Sequence, residues 1–215
     1  MAQARALRLV VDPRDGTVRL TMPKHAGLRH ALQWVESKRS WIETELARLP
    51  ASRPIAPGSE IPFEGRMHRI DWCEGQPRAV RLDGNALRLG GPRETVESRI
   101  VRWMRSEALS RLDGETRAMA DKAQVSVTRV TVGDPRSRWG SCSTTGAIRY
   151  SWRLVLAPVD VREATVAHEV AHRLHMNHSP AFHAAVRDLL GRDPSPEREW
   201  LRANGAALYW LGREG

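Results

Sequence analysis

The chain has 215 residues, of which 41% are hydrophobic and 27% charged, the composition of an ordinary soluble globular protein. It contains no run of about 18 apolar residues and no signal-like leader, so we expect neither a membrane span nor secretion. Two widely separated cysteines, Cys73 and Cys142, exclude a disulfide framework, and we therefore expect a cytoplasmic protein.

The net charge of +9 comes almost entirely from arginine, because the chain has only three lysines. The arginines are scattered along the chain rather than gathered into one run, so a nucleic-acid partner is disfavoured. If they form a functional surface, the partner that we expect is a small anionic substrate. Nothing in the sequence indicates an oligomeric state.

The first 90 residues predict a β-rich subdomain that contains one helix. Alternating residues at 7–11 and 17–22, joined by a turn sequence, predict a hairpin. Apolar residues at helical spacing predict one helix over about 27–49. Beyond a loop rich in proline and glycine, short strands are expected at 61–63, 68–72, 79–82 and 86–89.

Residues 91–215 predict a second subdomain, and the whole pattern predicts an α+β fold. A long helix is expected from Pro92 to about residue 123, followed by strands at 125–132 and 147–154. Asp160, with Glu163 three residues later, resembles a capping box that starts the next helix. Further helical stretches are expected near 180–190 and 196–211.

The helix after Asp160 carries the sequence His-Glu-Val-Ala-His at 168–172. Residues four apart share one face of an α-helix, so His168 and His172 can take adjacent positions around a tetrahedral Zn²⁺. Glu169 lies beside the metal, where it can take a proton from zinc-bound water and return it to the leaving group. The pattern therefore predicts a zinc site with Glu169 as its catalytic base.

A third ligand must come from beyond this helix. His178 is the preferred candidate, because Asn177 can adopt the left-handed conformation that ends a helix and reverses the chain. Ser179 and Pro180 then provide a cap residue and a first-turn proline for the next helix. The ligands left open as alternatives are His175, His183 and a carboxylate from Glu197 or Glu199.

Several other residues are candidates for substrate binding. Arg138 either pairs structurally or lies near the cleft, where it holds a substrate carboxylate or phosphate or braces the third ligand. Trp139, His175 and His183 are the other candidates for substrate contacts. Cys142 is expected to be a buried small hydrophobic residue rather than an extra ligand.

Residues 166–182 resemble the signature of the YgjP-like metallopeptidases, relatives of the SprT-like zincins. Residues 137–143, Ser-Arg-Trp-Gly-Ser-Cys-Ser, with 148 and 151–154, resemble a second signature of that family. The resemblance implies a zincin-like fold with a small sheet across the active-site helix. It also implies the metal ligands His168, His172 and His178, with Glu169 as the base. His183 stands where the family usually has tryptophan, which leaves it as a rival ligand or substrate contact.

Three functions are compatible with these features, and the sequence favours them in the following order. A metallopeptidase would use zinc-bound water activated by Glu169 and hold its peptide along an edge strand near 140–148. A zinc-dependent hydrolase of a small anionic substrate, such as a nucleotide triphosphate, would use the same centre, although the chain lacks a Gly-rich phosphate loop. A nucleic-acid binder with a structural zinc would leave Glu169 without a role.

Overall fold

The computed structural model describes residues 6–213, which form nine β-strands in three small sheets, six α-helices and three short 3-10 helices. The chain begins with the predicted hairpin, in which β1 (Arg8–Val11) pairs antiparallel with β2 (Val18–Thr21). Two helices follow, α1 (Leu28–Glu36) and α2 (Arg39–Ala47). The prediction of a single helix over 27–49 is therefore wrong.

The break between α1 and α2 has a local cause. The Ser37 hydroxyl donates a hydrogen bond to the Trp34 carbonyl at 2.7 Å. The Lys38 N–H donates to the carbonyl of Val35, three residues earlier, at 2.9 Å. Such a 3-10-type hydrogen bond tightens the last turn of a helix. Leu28 and Leu32, two of the apolar positions that suggested a long amphipathic helix, are exposed.

The second sheet has four strands in the order β3-β4-β6-β5, with β4 and β6 parallel. Its apolar side chains join a hydrophobic core that continues into the second half of the chain, so the division at residue 90 stays a prediction. The predicted strand at 79–82 is displaced and begins at Arg81. The strand bounds are β3 (Glu60–Phe63), β4 (Arg66–Trp72), β5 (Arg81–Asp83) and β6 (Ala86–Leu89).

The long helix α3 (Val96–Lys122) follows a 3-10 turn at Arg93–Thr95 and matches the predicted helix closely. Every fourth residue from Val96 to Ala120 is buried, which forms a continuous stripe along the helix. This helix packs against the helix Val159–Ala171 and against the strand Arg129–Gly133 of the third sheet. In the described part of the chain, no helix is long and apolar enough to cross a membrane.

The third sheet consists of β7 (Arg129–Gly133), β8 (Gly140–Cys142) and β9 (Ala147–Ser151). β9 is central, parallel to β7 and antiparallel to β8, so β8 lies at an edge among the described strands. The predicted strands at 125–132 and 147–154 are both too long. The second ends because Ser151 accepts a hydrogen bond from the Arg153 N–H and starts the 3-10 helix Trp152–Leu156.

The chain closes with α4 (Val159–Ala171), α5 (Pro180–Leu190), α6 (Ser195–Asn204) and the 3-10 helix Gly205–Trp210. Pro158, and not Asp160, is the N-cap of α4, and no side chain caps the helix. The predicted capping box is wrong because the Pro158 carbonyl already accepts bonds from the Val161 and Arg162 N–H groups. The helix therefore starts two residues earlier than a cap at Asp160 allows.

Arg162 anchors α4 in the fold. Its side chain is only 3% exposed, and it bonds to Glu115 on α3 at 2.7 Å and to Glu64 in the β3–β4 turn at 3.0 Å. Arg111 on α3 also bonds to Glu64, at 2.6 Å. A buried guanidinium needs such partners, and this network attaches α4 to α3 and to the second sheet.

Candidate metal centre

Two histidines project from the end of α4. His168 lies in its last turn, and His172 is the C-cap residue, still in right-handed helical conformation. Their ring centroids are 5.0 Å apart. The predicted spacing of one turn therefore places both imidazoles on the same side of the helix, as helical geometry requires.

The segment after α4 brings a third histidine back to this pair. The N–H groups of Leu174 and His175 both bond to the Ala171 carbonyl, which closes tight turns at the helix end. Asn177 is not in the left-handed conformation, so the reason given for the reversal is wrong: among described non-glycine residues, only Glu64 and Gln124 have positive φ. The start of α5 is as predicted, with Ser179 as N-cap and proline in the first turn.

The metal-binding atoms of His168, His172 and His178 all lie within 4.8 Å of one another. The Nε2 atoms of His168 and His178 are 3.2 Å apart. Two nitrogens bound to one tetrahedral zinc at about 2.0–2.1 Å lie about 3.3 Å from each other. The three imidazoles therefore fit a single metal ion.

The protonation of the histidines also suits a metal ion. Burial, together with the neighbouring His172 and His178, lowers the pKa of His168 to about 4. Burial also lowers the pKa of His172. The Nδ1 atom of His172 lies 3.2 Å from the His175 carbonyl, and if it donates to that oxygen, Nε2 is left free. Neutral imidazoles with a free nitrogen are the form that binds metal.

Phe182 holds the three imidazoles in place, a role that the sequence analysis missed. It is fully buried on the first turn of α5. Its ring centroid lies 4.9 Å from that of His168, 4.6 Å from His172 and 4.7 Å from His178. The available signal was its position three residues after the N-cap Ser179, which directs it back toward the preceding helix.

Glu169 is buried beside this cluster and is 5% exposed. Burial raises the pKa of its carboxyl to about 7, against a smaller opposing effect of Arg138. The carboxylate lies against Gly140 of β8, where a Cβ would come within 2.6 Å of the Glu169 Cγ. Only glycine at position 140 leaves room for this carboxylate, a requirement that the motif Ser-Arg-Trp-Gly did not reveal at the level of sequence.

A cavity of about 220 Å³ opens next to His168 and Glu169. Trp139 and His183, both predicted to contact substrate, line it. Trp139 also packs on Tyr209, with ring centroids 5.7 Å apart. Most of the remaining wall is apolar and comes from α4, α5 and α6: Val161, Ala164, Val186, Pro194 and Leu201.

The rival metal ligands lie outside the histidine cluster. Glu197 is buried in the cavity wall, where it accepts a hydrogen bond from Arg192 at 2.9 Å. Glu199 is exposed, and the His183 ring centroid is 6.4 Å from that of His178. His175 is placed to serve the centre through its main-chain carbonyl.

Cys142 is partly buried and packs against the core, as expected of a small hydrophobic residue. Burial raises the pKa of its thiol, which favours the neutral form. Arg138 is exposed and does not line this cavity, but its charge lies close enough to Glu169 to act on that carboxyl.

The site combines a helix that carries two histidines one turn apart, a buried carboxylate between them, a third histidine and a small neighbouring sheet. This combination defines a zincin-like α+β domain. The family described as "YgjP-like, metallopeptidase domain" matches residues 5–204, and the chain belongs to this family. Membership supports a metal-dependent hydrolase of the peptidase type. Searches of the curated proteins and of the solved structures found no match.

Proposed function

We propose that the protein is a zinc-dependent metallopeptidase in which His168, His172 and His178 hold the metal and Glu169 is the catalytic base. The observation that carries this proposal is the cluster of three imidazoles, with ligand atoms within 4.8 Å, beside a buried carboxylate on the wall of one cavity. Three protein ligands leave a tetrahedral metal one position for water or substrate, as catalytic zinc sites require.

Zinc at such a site lowers the pKa of water and polarises a carbonyl oxygen. Glu169 takes the proton of the attacking water and then delivers it to the leaving amine. Burial supports this role, because a carboxyl whose pKa is near 7 can both accept and release a proton near neutral pH. Phe182 restrains the imidazoles, and Gly140 leaves space for the carboxylate to reach the cavity.

Edge strand β8 is suited to hold an extended peptide. The Trp139 carbonyl accepts a hydrogen bond from the Ser151 N–H, and the Ser143 N–H donates to the Ala147 carbonyl. The main-chain groups of Trp139 and Ser143 therefore point toward β9. In an antiparallel ladder the intervening residues alternate, and the backbone groups of Gly140 and Cys142 therefore point to the open edge. A substrate strand added there runs beside Glu169.

Hydrolysis of a small anionic substrate, such as a nucleotide triphosphate, is the second candidate. It is favoured by exposed arginines near the site, above all Arg138. The cavity beside the centre argues against it, because its wall is mostly apolar and suits an apolar side chain better than a phosphate. A structural zinc in a nucleic-acid binder would leave this cavity and Glu169 without a use.

Metal analysis of purified variants tests the ligand set. We expect about one zinc per wild-type chain and a large loss of zinc in His178→Ala. His183→Ala is the matched control, since its ring lies next to that of His178 but outside the cluster, and it should retain zinc. Zinc retained in His178→Ala and lost in His183→Ala or Glu199→Ala would refute the assignment.

Parallel assays on casein-derived peptides and on a panel of nucleotides test the substrate class. We expect zinc-dependent cleavage of peptides and no turnover of nucleoside triphosphates. Turnover of the nucleotides alone, reduced in a zinc-loaded Arg138→Ala variant, would replace the peptidase with the second candidate.

A further inference from the structure

A basic groove of about 350 Å³ lies on the face of the third sheet that is turned away from α4. Three exposed arginines contribute to its lining: Arg129 on β7, Arg149 on β9 and Arg138 just before β8. Hydroxyl groups stand between them, from Thr131, Ser141 and Ser143. We call this surface the arginine groove.

The charges of the arginine groove are not neutralised within residues 6–213. Eleven arginines of this part of the chain form ion pairs with carboxylates, but Arg129, Arg138 and Arg149 are not among them. The nearby Asp134 is bonded to Arg153 at 2.8 Å. Three neighbouring positive charges without partners attract an anionic ligand.

The register of the sheet connects the arginine groove to the active site. Gly140 contacts Glu169, so the side-chain positions of Gly140 and Cys142 face α4. Ser141, between them in the sequence, faces the groove. In the sheet it lies opposite Arg149 of β9, which lies opposite Thr131 of β7. The edge strand thus separates the cavity beside the histidines from the arginine groove.

A peptide bound along the open edge of β8 would present its side chains to these two surfaces alternately, because successive residues of a strand point to opposite faces. We infer that the arginine groove is a specificity subsite for acidic side chains, so that the preferred substrates are extended segments in which apolar and acidic residues alternate. This inference rests on the proposed peptidase function and adds a substrate class to it.

An acidic peptide fits the arginine groove better than a nucleic acid does. None of the described residues that line the groove is aromatic, so it offers no surface on which bases would stack. The adjoining edge of β8 presents main-chain donors and acceptors that a second polypeptide strand can use. Guanidinium groups also bind carboxylates in a bidentate manner.

Binding to the zinc-loaded Glu169→Gln protein tests the inference without turnover. The probes are two fluorescein-labelled decapeptides in which leucine alternates with glutamate or with glutamine, and anisotropy gives their affinities. We expect the glutamate peptide to bind about tenfold more tightly, the scale of a few partly exposed charge-assisted hydrogen bonds. Raising the salt concentration should reduce this preference.

Arg129→Gln and Arg149→Gln should each reduce the charge preference, and the double variant should reduce it to what Arg138 alone supplies. Arg81→Gln is the matched control, because Arg81 is equally exposed but lies on β5 of another sheet, and it should keep the preference. Equal affinity of the wild-type groove for the two peptides, or a preference that the double substitution does not reduce, would overturn the inference. A single-stranded oligonucleotide bound more tightly than either peptide, and dependent on Arg149, would overturn it in favour of a nucleic acid.

Cleavage by the wild-type protein separates this inference from the proposed function. We expect both peptides to be cut, with the lower KM for the glutamate peptide. Equal KM values would remove the acidic specificity and leave the peptidase standing. If neither peptide is cut by the zinc-loaded protein while a nucleoside triphosphate is, the peptidase itself fails.

Discussion

The two ends of α4 bury titratable groups in opposite ways. Near its start, Arg162 is enclosed by carboxylates of α3 and of the β3–β4 turn, with bonds of 2.7 and 3.0 Å. Near its end, Glu169 is buried against Gly140, and His168 is half-buried beside Phe182 and two other imidazoles. The pKa of each shifts toward the neutral form. One end of the helix carries a charge whose partners lie within the fold, whereas the other carries groups suited to a metal and a substrate.

This contrast separates a structural use of buried charge from the catalytic use that we propose for Glu169. A paired buried charge positions elements, and its removal disturbs folding. An unpaired buried carboxyl reduces the stability of the fold when it ionises, and it is retained where its chemistry is used. Substitutions at the two ends of α4 should therefore affect different measurements.

The largest effect is expected at the catalytic end. Glu169→Gln keeps the size of the side chain but cannot accept a proton, so turnover should fall by about two to four orders of magnitude. Zinc content and folding should stay near wild type, as measured by metal analysis and circular dichroism. Loss of zinc together with activity would indicate that Glu169 braces the metal site and is not the base.

The structural end should respond in stability. Arg162→Ala leaves Glu115 without its partner and Glu64 with Arg111 alone, and unfolding in urea should show a loss of about 2–4 kcal/mol, since these carboxylates are partly exposed. Arg117→Ala on the same helix as Glu115 removes an exposed pair and should leave the free energy of unfolding close to that of wild type. Equal losses in the two variants would contradict the structural role of Arg162.

The pH dependence of stability should reveal the buried Glu169 in the metal-free protein. The pKa of Glu169 is about 7 in the fold against 4.5 for an ordinary glutamate. The neutral carboxyl therefore makes its full contribution to the free energy of unfolding below about pH 4.5, and this contribution is lost as the pH rises through 7. Between pH 5 and 8 wild type should lose about 2–3 kcal/mol relative to Glu169→Gln. The difference between the variants largely removes the contribution of His168, which titrates in both. Parallel stability curves would show that Glu169 is not desolvated.

A smaller effect is expected where β8 meets the catalytic end. Gly140→Ala places a Cβ within 2.6 Å of the Glu169 Cγ, so the carboxylate must move and turnover should fall about tenfold to a hundredfold. Gly75→Ala is the control, because nothing lies within 4 Å of its added Cβ, and it should leave the rate unchanged. A wild-type rate in a folded Gly140→Ala protein would show that the position of this carboxylate is not critical.

The sequence by itself determined the features that depend on neighbours within one or two helical turns. The spacing of His168 and His172, the burial of α4 and the cap at Ser179 all follow from residues no more than four positions apart. The hairpin β1–β2 was predictable for the same reason, since its turn residues and strands are adjacent in the chain. His178 was preferred from its position just beyond the helix and again from family resemblance, although the left-handed conformation expected of Asn177 was wrong.

Only the tertiary structure decided which of several competing local signals prevailed and which distant groups meet. Asp160 was a good cap candidate, but the Pro158 carbonyl had already started α4, and Asn177 was not needed for the chain reversal. Three contacts join segments whose approach depends on the packing of the whole core. They are the contacts of Glu169 with Gly140, of Phe182 with the imidazoles and of Arg162 with Glu64. Whether an arginine is paired or free is likewise a property of the assembled surface, because an ion pair needs a partner in space and not in sequence.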